Sequence, residues 1–424
     1  MQLSVGRHPY VRLLGSHPVL ARFWAGSVLS AVGDSLSWTT LVWYAVERGG
    51  NGAAVAILLL AQAVPGMISA PWFGRWLDRG SLRGILLLDN GARATLTALL
   101  PLLDALVGLP LWGLFTIVAV LGVLSPATRV GTGIATTRLV RGEDRPAANA
   151  IFAAADPIAI VVGPALGGLL VARFGFGIAL WVDAATFLAM AWAAASLPGR
   201  PAPAIRNEPV EARSAGAARW LFQPLPFIAT ALSGLFFFAY GPSEAALPFF
   251  IKDQLRAGPE TFGFAWSALG VGAILGGMAA VPLARVRRTG RLLAAGMFAW
   301  GILSIGVGHA SSGTALMALY FLGGVVWGPY LPLRATLMQR CVPESRLGSV
   351  LGIQSAVLAP ALPLGAALGG WLLQRTQPSN ILSGVGWACL VGASIAFCVP
   401  ALHHPDPSDT PEAPPVRPED AVTM

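Results

Sequence analysis

The sequence Gly74-Arg-Trp-Leu-Asp-Arg-Gly-Ser-Leu-Arg-Gly84 is a short basic stretch between two long apolar runs, Ala53–Phe73 and Ile85–Leu103. A connection this short joins two membrane helices on one face of a bilayer. Short loops rich in arginine and lysine stay on the cytoplasmic side. The three arginines of this stretch are Arg75, Arg79 and Arg83. We therefore expect a cytoplasmic loop here, with the carboxylate of Asp78 at the positive end of the next helix dipole.

The composition is that of a membrane protein. Of the 424 residues, 55% are hydrophobic and 11% are charged, and the mean hydropathy is +0.66. Soluble domains carry roughly a quarter charged residues. The formal net charge of +8 comes from arginines spread over short loops, without a basic helix face, so nucleic-acid binding is rejected.

Soluble catalytic and metal-binding signatures are absent from the sequence. It has no phosphate-binding loop of the Gly-Lys-Ser/Thr kind and no serine nucleophile motif. Its three cysteines and five histidines are scattered without metal-ligand spacing. We expect a protein that is not an enzyme, with neither a cofactor nor a metal.

Twelve apolar runs are long enough to span a bilayer. They lie near residues 20–46, 53–73, 84–104, 110–130, 147–171, 177–197, 225–250, 261–283, 291–309, 313–337, 347–373 and 380–401. Assigning the arginine-rich loops to the cytoplasm places both termini there. The predicted organisation has four parts: a six-helix half (1–197), a cytoplasmic linker rich in Pro, Ala and Arg (198–222), a second six-helix half (223–402) and a disordered, Pro-rich cytoplasmic tail (403–424).

The two halves contain a repeated motif. Gly163-Pro-Ala-Leu-Gly-Gly-Leu-Leu170 is echoed by Gly365-Ala-Ala-Leu-Gly-Gly-Trp-Leu372. Repeats in the same orientation predict two halves related by an axis along the membrane normal.

The basic loop resembles the signature of the major facilitator superfamily between helices 2 and 3. That pattern is Gly, three residues, Asp-Arg, any residue, Gly and two basic residues. It is matched by Gly74, Asp78, Arg79 and Arg83, whereas Ser81 and Leu82 depart from it. The resemblance implies an all-α membrane protein of twelve helices, in which this loop is a conformational latch between the halves.

Other stretches are similar to the bacterial efflux branch that holds macrolide and enterobactin exporters. They are Arg22–Gly26, Ser30–Asp34, Asp89–Ala94 and Asp183–Phe187. The helix 5 pattern associated with exporters is matched by Gly163, Pro164, Gly167 and Gly168.

Six charged residues fall inside or near predicted spans: Asp34, Asp89, Arg93, Asp156, Asp183 and Glu244. A charge at the centre of a membrane helix costs about 2.5–3.5 kcal/mol on insertion scales, so each needs a reason. Asp89 and Arg93 are four apart with the acid first, which predicts a pair on one helix, either structural or mechanistic. We expect Asp183 to be solvated or to cap a helix rather than to act in transport, which is the alternative role. Asp156 could bind substrate or a proton, or bond to another helix.

Asp34 and Glu244 are the candidates for coupling. Trp38 stands one turn after Asp34, and Tyr240 one turn before Glu244. The resemblance places their helices beside the central cavity. A carboxylate there could bind a proton and cargo in competition, although Asp34 could instead be neutral and bond to a serine or threonine of a neighbouring helix.

These observations favour a proton-coupled exporter of an amphipathic organic compound, such as a drug, an antibiotic or a siderophore-like molecule. The expected partners are that substrate, protons and membrane lipids, and the expected form is a monomer in a bacterial cytoplasmic membrane. An importer or lipid flippase on the same fold, and a non-transporting sensor or scaffold, remain alternatives because a fold does not settle function.

Overall fold

A computed structural model of the chain describes residues 9–140, 144–198, 218–286 and 288–403, which form helices and connections without a strand. The helices are α1 (Pro9–Ser16), α2 (Pro18–Gly49), α3 (Gly52–Arg79), α4 (Leu82–Val107), α5 (Leu111–Leu139), α6 (Arg145–Ala153), α7 (Ala155–Ala195), α8 (Ala218–Leu221), α9 (Pro224–Phe249), α10 (Pro259–Met278), α11 (Ala280–Ala284), α12 (Thr289–Gly308), α13 (Gly313–Trp327), α14 (Tyr330–Cys341), α15 (Glu344–Leu358), α16 (Ala361–Leu372) and α17 (Pro378–Phe397). A π-helical turn, Phe250–Gln254, extends α9, and a 3₁₀ turn, Pro400–His403, follows α17.

Ten helical segments of the described residues are long and apolar enough to cross a membrane, which confirms the all-helical membrane class. The segment Arg145–Ala195 is the longest of the ten, with 51 residues. Its backbone leaves the helical region at Gly175, where φ is 81° and ψ is 175°, so two helices meet there. Helix α2, with 32 residues, is long enough to cross but is not among the ten.

The basic stretch is mostly helical, which corrects the expected loop. Helix α3 continues to Arg79 and α4 begins at Leu82, so only two residues connect them. Asp78 therefore belongs to the last turn of α3, and the expectation that it starts the next helix was wrong. Ser81 caps α4 instead, because its side chain accepts a hydrogen bond from the amide of Gly84.

Several predictions lie outside the described residues. The surroundings of Gly74 and the side chains of Asp78 and Arg79 are among these, so the latch stays a prediction. Most of the linker and all but the first residue of the tail, residues 199–217 and 404–424, are outside as well.

The helices before residue 199 form the N-terminal part, and those after residue 217 form the C-terminal part. In the N-terminal part, α7 packs along α2 and α4, and α3 packs along α5. In the C-terminal part, α9 packs on α16, α10 on α13 and α12 on α17. Two extensive helix pairs join the parts: α7 with α10, and α3 with α16.

The first copy of the repeated glycine motif lies at a junction of three helices. A methyl group added at Gly163 would lie 2.7 Å from the carbonyl oxygen of Val32, and one added at Gly167 would lie 2.6 Å from that of Leu36, both on α2. One added at Gly168 would meet the backbone of Pro259 at the start of α10. Only glycine permits this approach of backbones.

The second copy makes the equivalent contacts in the C-terminal part. Gly365 faces the backbone of Phe238 on α9, and a methyl at Gly369 would lie 2.6 Å from Cα of Pro242. One added at Gly370 would lie 2.8 Å from the carbonyl oxygen of Gly52 on α3. In each copy, the first two glycines face their own part and the last glycine faces the other part.

Several contacts between the parts lie at one end of the helices, which we term the closed end. There the Lys252 ammonium donates to the carbonyl oxygen of Val46 at 3.3 Å, and the rings of Trp43 and Phe262 lie 6.2 Å apart. The last glycines of both motif copies lie at this end. On α15, which begins at the opposite end, methyl groups added at Gly348 and Gly352 would meet nothing within 4 Å.

Candidate functional site

Asp34 and Arg93 form an ion pair between α2 and α4. The Nη2 atom of Arg93 lies 2.5 Å from Oδ1 of Asp34. The Arg93 side chain is only 8% exposed, whereas that of Asp34 is 45% exposed. The guanidinium also lies over the Phe187 ring, 4.2 Å from its centroid. The guanidinium is thus the more deeply buried member of the pair, and the carboxylate is the more accessible one.

Asp89 makes a different contact from the predicted one. Its Oδ2 accepts a hydrogen bond of 2.5 Å from the hydroxyl of Thr128 on α5. Asp89 is buried, and the structure pairs Arg93 with Asp34 rather than with its helical neighbour. Arg93 therefore pairs with the carboxylate of Asp34 on an adjacent helix instead of with Asp89, the partner that the spacing predicted.

Asp183 is buried beside this group, so the expectation of a solvated residue was wrong. The residue is 1% exposed. Its Oδ2 accepts from the Ser37 hydroxyl at 2.5 Å, and its Oδ1 accepts from Thr186 at 3.1 Å. Although Asp183 lies far from Asp34 in sequence, α7 runs along α2 and brings it to the same cavity.

The first cavity has a polar wall formed by Asp34, Ser37, Arg93 and Asp183. Five buried polar atoms on the two helices that carry the ion pair have no hydrogen-bond partner within the part of the chain that the structure describes. They are the hydroxyls of Ser30 and Thr97, Oδ1 of Asp89, Oδ1 of Asn90 and Nε of Arg93. Buried polar groups are almost always paired, so this concentration marks a place for water, ligand or a rearranged contact.

Glu244 belongs to a second cavity between the two parts. Its lining residues are Trp38, Leu59, Gln62, Ala63, Glu244, Leu362, Pro363 and Ala366. Trp38 and Gln62 line both this cavity and the first one. The structure therefore brings the two predicted coupling carboxylates to neighbouring cavities with a shared wall.

Tyr240 stands in an aromatic cluster of the C-terminal part. Its ring centroid lies 6.1 Å from that of Phe236, 5.7 Å from that of Trp300 and 6.5 Å from that of Trp266. The cluster lies beside a third cavity lined by Tyr240, Trp300, Tyr320 and eight other residues. Sequence reasoning missed Trp266, Trp300 and Tyr320, since single aromatic residues in apolar runs carry no distinguishing pattern.

Asp156 is exposed in the first turn of α7 and lines none of these three cavities. The exporter-type residues Gly163, Gly167 and Gly168 serve the helix junction described above, and a methyl group added at Gly263 on α10 would meet the carbonyl oxygen of Pro164. Among the residues that the structure describes, no three His, Cys, Asp or Glu side chains are grouped in a way that could hold a metal ion.

Comparison with known proteins gives consistent results. Residues 14–419 match the sequence profile of a family described as transmembrane secretion effectors. The multidrug efflux pump Tap of Mycolicibacterium fortuitum is 22% identical over 400 residues, covering 91% of this chain and 96% of that protein. The enterobactin exporter EntS of Escherichia coli O9:H4 is 29% identical over 349 residues, covering 77% and 79%.

Solved structures show a similar fold at low identity. A bacterial homologue of the iron transporter ferroportin, in an inward-facing state, superposes with a TM-score of 0.69 at 16% identity, covering 89% of this chain and 97% of that one. A POT family transporter superposes with a TM-score of 0.66 at 15% identity, covering 91% and 96%.

Proposed function

The chain belongs to the transmembrane secretion effector family of the major facilitator superfamily, whose members are transporters and not enzymes, and we propose that it exports an amphipathic organic compound in exchange for protons. Transport across a membrane by a multi-pass protein follows from the family. The direction, the coupling ion and the class of cargo are the proposal.

The proposed architecture has twelve spanning helices in two six-helix halves. Gly175 would divide Arg145–Ala195 into two spans, and α2 would be the first spanning helix. Polar side chains of α2 are buried against the rest of the protein rather than exposed to lipid, which supports its place in a membrane bundle. They are Ser27, Ser30, Ser37, Thr39 and Thr40.

The proposed orientation puts the basic loops and both termini in the cytoplasm of a bacterium, with the closed end outside. Arg83 and the other arginines near the α3–α4 connection lie at the end opposite Lys252 and Gly370. In this orientation the structure is closed to the outside, and a monomer could take cargo from the cytoplasm. Alternating access would then follow from rocking of the two parts about the central cavities.

The observation that carries the proposal is the wall shared by the cavities of Asp34 and Glu244. Cargo in contact with Trp38 and Gln62 lies next to Asp34 on one side and Glu244 on the other. A proton on either carboxylate would remove the negative charge that a cationic or polar cargo group prefers. Two ligands that compete for one group are coupled, and the coupling is reciprocal.

The chemistry of the second cavity supports an amphipathic cargo. Leu59, Leu362 and Pro363 offer apolar surface, Trp38 offers an aromatic face, and Glu244 and Gln62 offer polar groups. Sites of this kind bind apolar compounds and orient them by a few polar contacts.

Uptake of ethidium by everted membrane vesicles with an acidic interior tests the proposal. The unmodified protein should accumulate the dye, and accumulation should collapse when the proton gradient is dissipated. Asp34→Asn should reach the membrane in normal amounts yet lose accumulation, because it copies the protonated form at nearly the same size. Glu244→Gln should lower accumulation as well. Asp253→Asn is a matched control, because Asp253 is exposed near the closed end and lines neither cavity.

Two results would refute parts of the proposal. If Asp34→Asn and Glu244→Gln both accumulate dye like the unmodified protein, neither carboxylate couples transport to protons. If the unmodified protein moves dye only in the opposite direction, the protein is an importer.

A further inference from the structure

Helix α4 carries two complementary polar atoms that lack partners. Nε of Arg93 is a buried donor and Oδ1 of Asp89 is a buried acceptor, and neither makes a hydrogen bond to any described residue. They are one helical turn apart, with the acid first, the order that favours an ion pair on one helix. An unpaired buried polar group is destabilising, so a donor and an acceptor left open on the same helix face need a reason.

We propose that Arg93 exchanges partners during transport: it binds Asp34 while Asp34 is ionised, and moves to Asp89 when Asp34 takes up a proton. This inference rests on the proposed proton-coupled function and assigns Asp89 a positioning role in it. The present structure shows the first of the two arrangements.

The surroundings of Asp89 suit the second arrangement. Its Oδ2 is already held by the hydroxyl of Thr128, which orients the carboxylate and leaves Oδ1 open. Arg93 would change only its side-chain torsions, because both residues stand on α4 and no helix has to move. The face of the Phe187 ring, 4.2 Å from the guanidinium, can remain in contact during a small rotation.

The exchange conserves atoms and charge. A proton forms an O–H bond with the Asp34 carboxylate, and its ion pair with Arg93 ends. Arg93 keeps its own protons and its positive charge, and Asp89 stays ionised. Release of the proton from Asp34 reverses each step.

Two further charged groups interact electrostatically with Asp34 from neighbouring helices: Asp183 on α7 and Arg129 on α5. Asp183 already accepts hydrogen bonds from Ser37 and Thr186. Arg129 is exposed and makes no ion pair among the described residues. Asp183 is already hydrogen-bonded and lies on another helix, and Arg129 is a cation. Asp89 is therefore the carboxylate available as a second partner of Arg93.

A double-mutant cycle on the melting temperature of the purified protein tests the exchange. Asp34→Asn and Asp89→Asn should each lower the melting temperature little, because Arg93 keeps one carboxylate in either variant. The double variant should lower it by clearly more than the sum of the two, because a buried guanidinium is then unpaired. Adding Arg93→Gln to the double variant should recover most of the loss.

The matched control uses the ion pair at the closed end. Asp104 binds Arg48 at 3.1 Å, away from both cavities. Combining Asp104→Asn with Asp89→Asn should give an additive loss.

Each outcome of the cycle decides the inference. The double variant could be so unstable that it fails to reach the membrane while both single variants reach it. If Arg93→Gln then restores it, this is the extreme form of the expected result. An additive double variant would overturn the exchange, as would an Asp34→Asn variant that is as unstable as the double one. Additivity is also the result expected if fixed waters satisfy the two open atoms.

A second readout separates a positioning role from a structural one. Ethidium binding by the unmodified protein should weaken as the pH falls. In Asp89→Asn, this loss should move to lower pH, since protonation of Asp34 would leave Arg93 without a partner, and Asp89→Glu should restore part of the profile. An unshifted profile in a folded Asp89→Asn variant would overturn the role. If the unmodified protein neither binds nor moves ethidium, the proposed function fails for this probe. The partner exchange of Arg93 is then tested by the melting-temperature cycle alone.

Discussion

Replacing Gly168 by alanine should open the closed end. The added Cβ would lie 3.0 Å from Cα of Glu260 and 3.0 Å from the carbonyl carbon of Pro259, and it would also meet the Pro259 oxygen. Carbon atoms in favourable contact are about 3.5–4.0 Å apart, so the neighbouring backbone would have to retreat. That backbone belongs to the other part of the molecule, and the contact exists only while this end is closed.

The size of the effect follows from the type of contact. Overpacking by a methyl group in a well-packed region costs typically about 1–3 kcal/mol. Because the cost falls on the closed arrangement, it should shift the ratio of closed to open molecules by about 5- to 150-fold.

Pulsed electron paramagnetic resonance in lipid nanodiscs would measure this shift. Spin labels at Val107 and Gln374, in a cysteine-free background, report the separation of the two parts, because both positions are exposed and lie near the closed end. In the Gly168→Ala variant, a longer distance should appear or grow at the expense of the shorter one.

The matched control is Gly91→Ala, the same chemical change at a position where an added methyl group meets nothing within 4 Å. Its distance distribution should equal that of the unmodified glycine background. If a folded Gly168→Ala protein gives the same distribution as Gly91→Ala, the Gly168 contact does not hold the closed end together.

Two other predictions concern topology and the backbone. In a cysteine-free background, Gly84→Cys should resist an impermeant thiol reagent added to intact cells, and Gln374→Cys should react; the reverse pattern would invert the proposed orientation. Gly175→Ala should lower the melting temperature, because a side chain at φ 81° and ψ 175° costs about 1–3 kcal/mol, whereas Gly177→Ala, whose added methyl would lie 3.7 Å from its nearest neighbour, should not. Equal melting temperatures for the two alanine variants would show that the junction does not constrain the backbone.

The sequence predicted the membrane class and the family well, because both depend on local properties. Apolar runs and short arginine-rich connections report the bilayer directly. The repeated glycine motif could be recognised in the sequence, and the structure shows that its glycines allow close approach of helix backbones. The end of α3 was mistaken because charged residues were taken for a loop, whereas a helix can continue past the apolar run.

The partners of the buried charges could not be read from the sequence. Spacing showed that Asp89 could reach Arg93, but it could not show that Asp34 on another helix lies closer. Burial of Asp183 depends on the packing of α7 along α2, which hydropathy does not specify. Spacing along the sequence shows which contacts a charged side chain can make on its own helix. Tertiary packing decides which contact it makes in the folded protein.

The seal at the closed end includes close backbone contacts at Gly168 and Gly370, together with the Lys252 contact and the Trp43–Phe262 ring pair. The backbone contacts at the two glycines have no side-chain rotamers to order and no charges for salt to screen. The rate at which this end opens should therefore depend little on ionic strength. It also leaves the residues that touch cargo free to change over evolution without loosening the seal, so related chains could acquire new substrates while they keep the same gate.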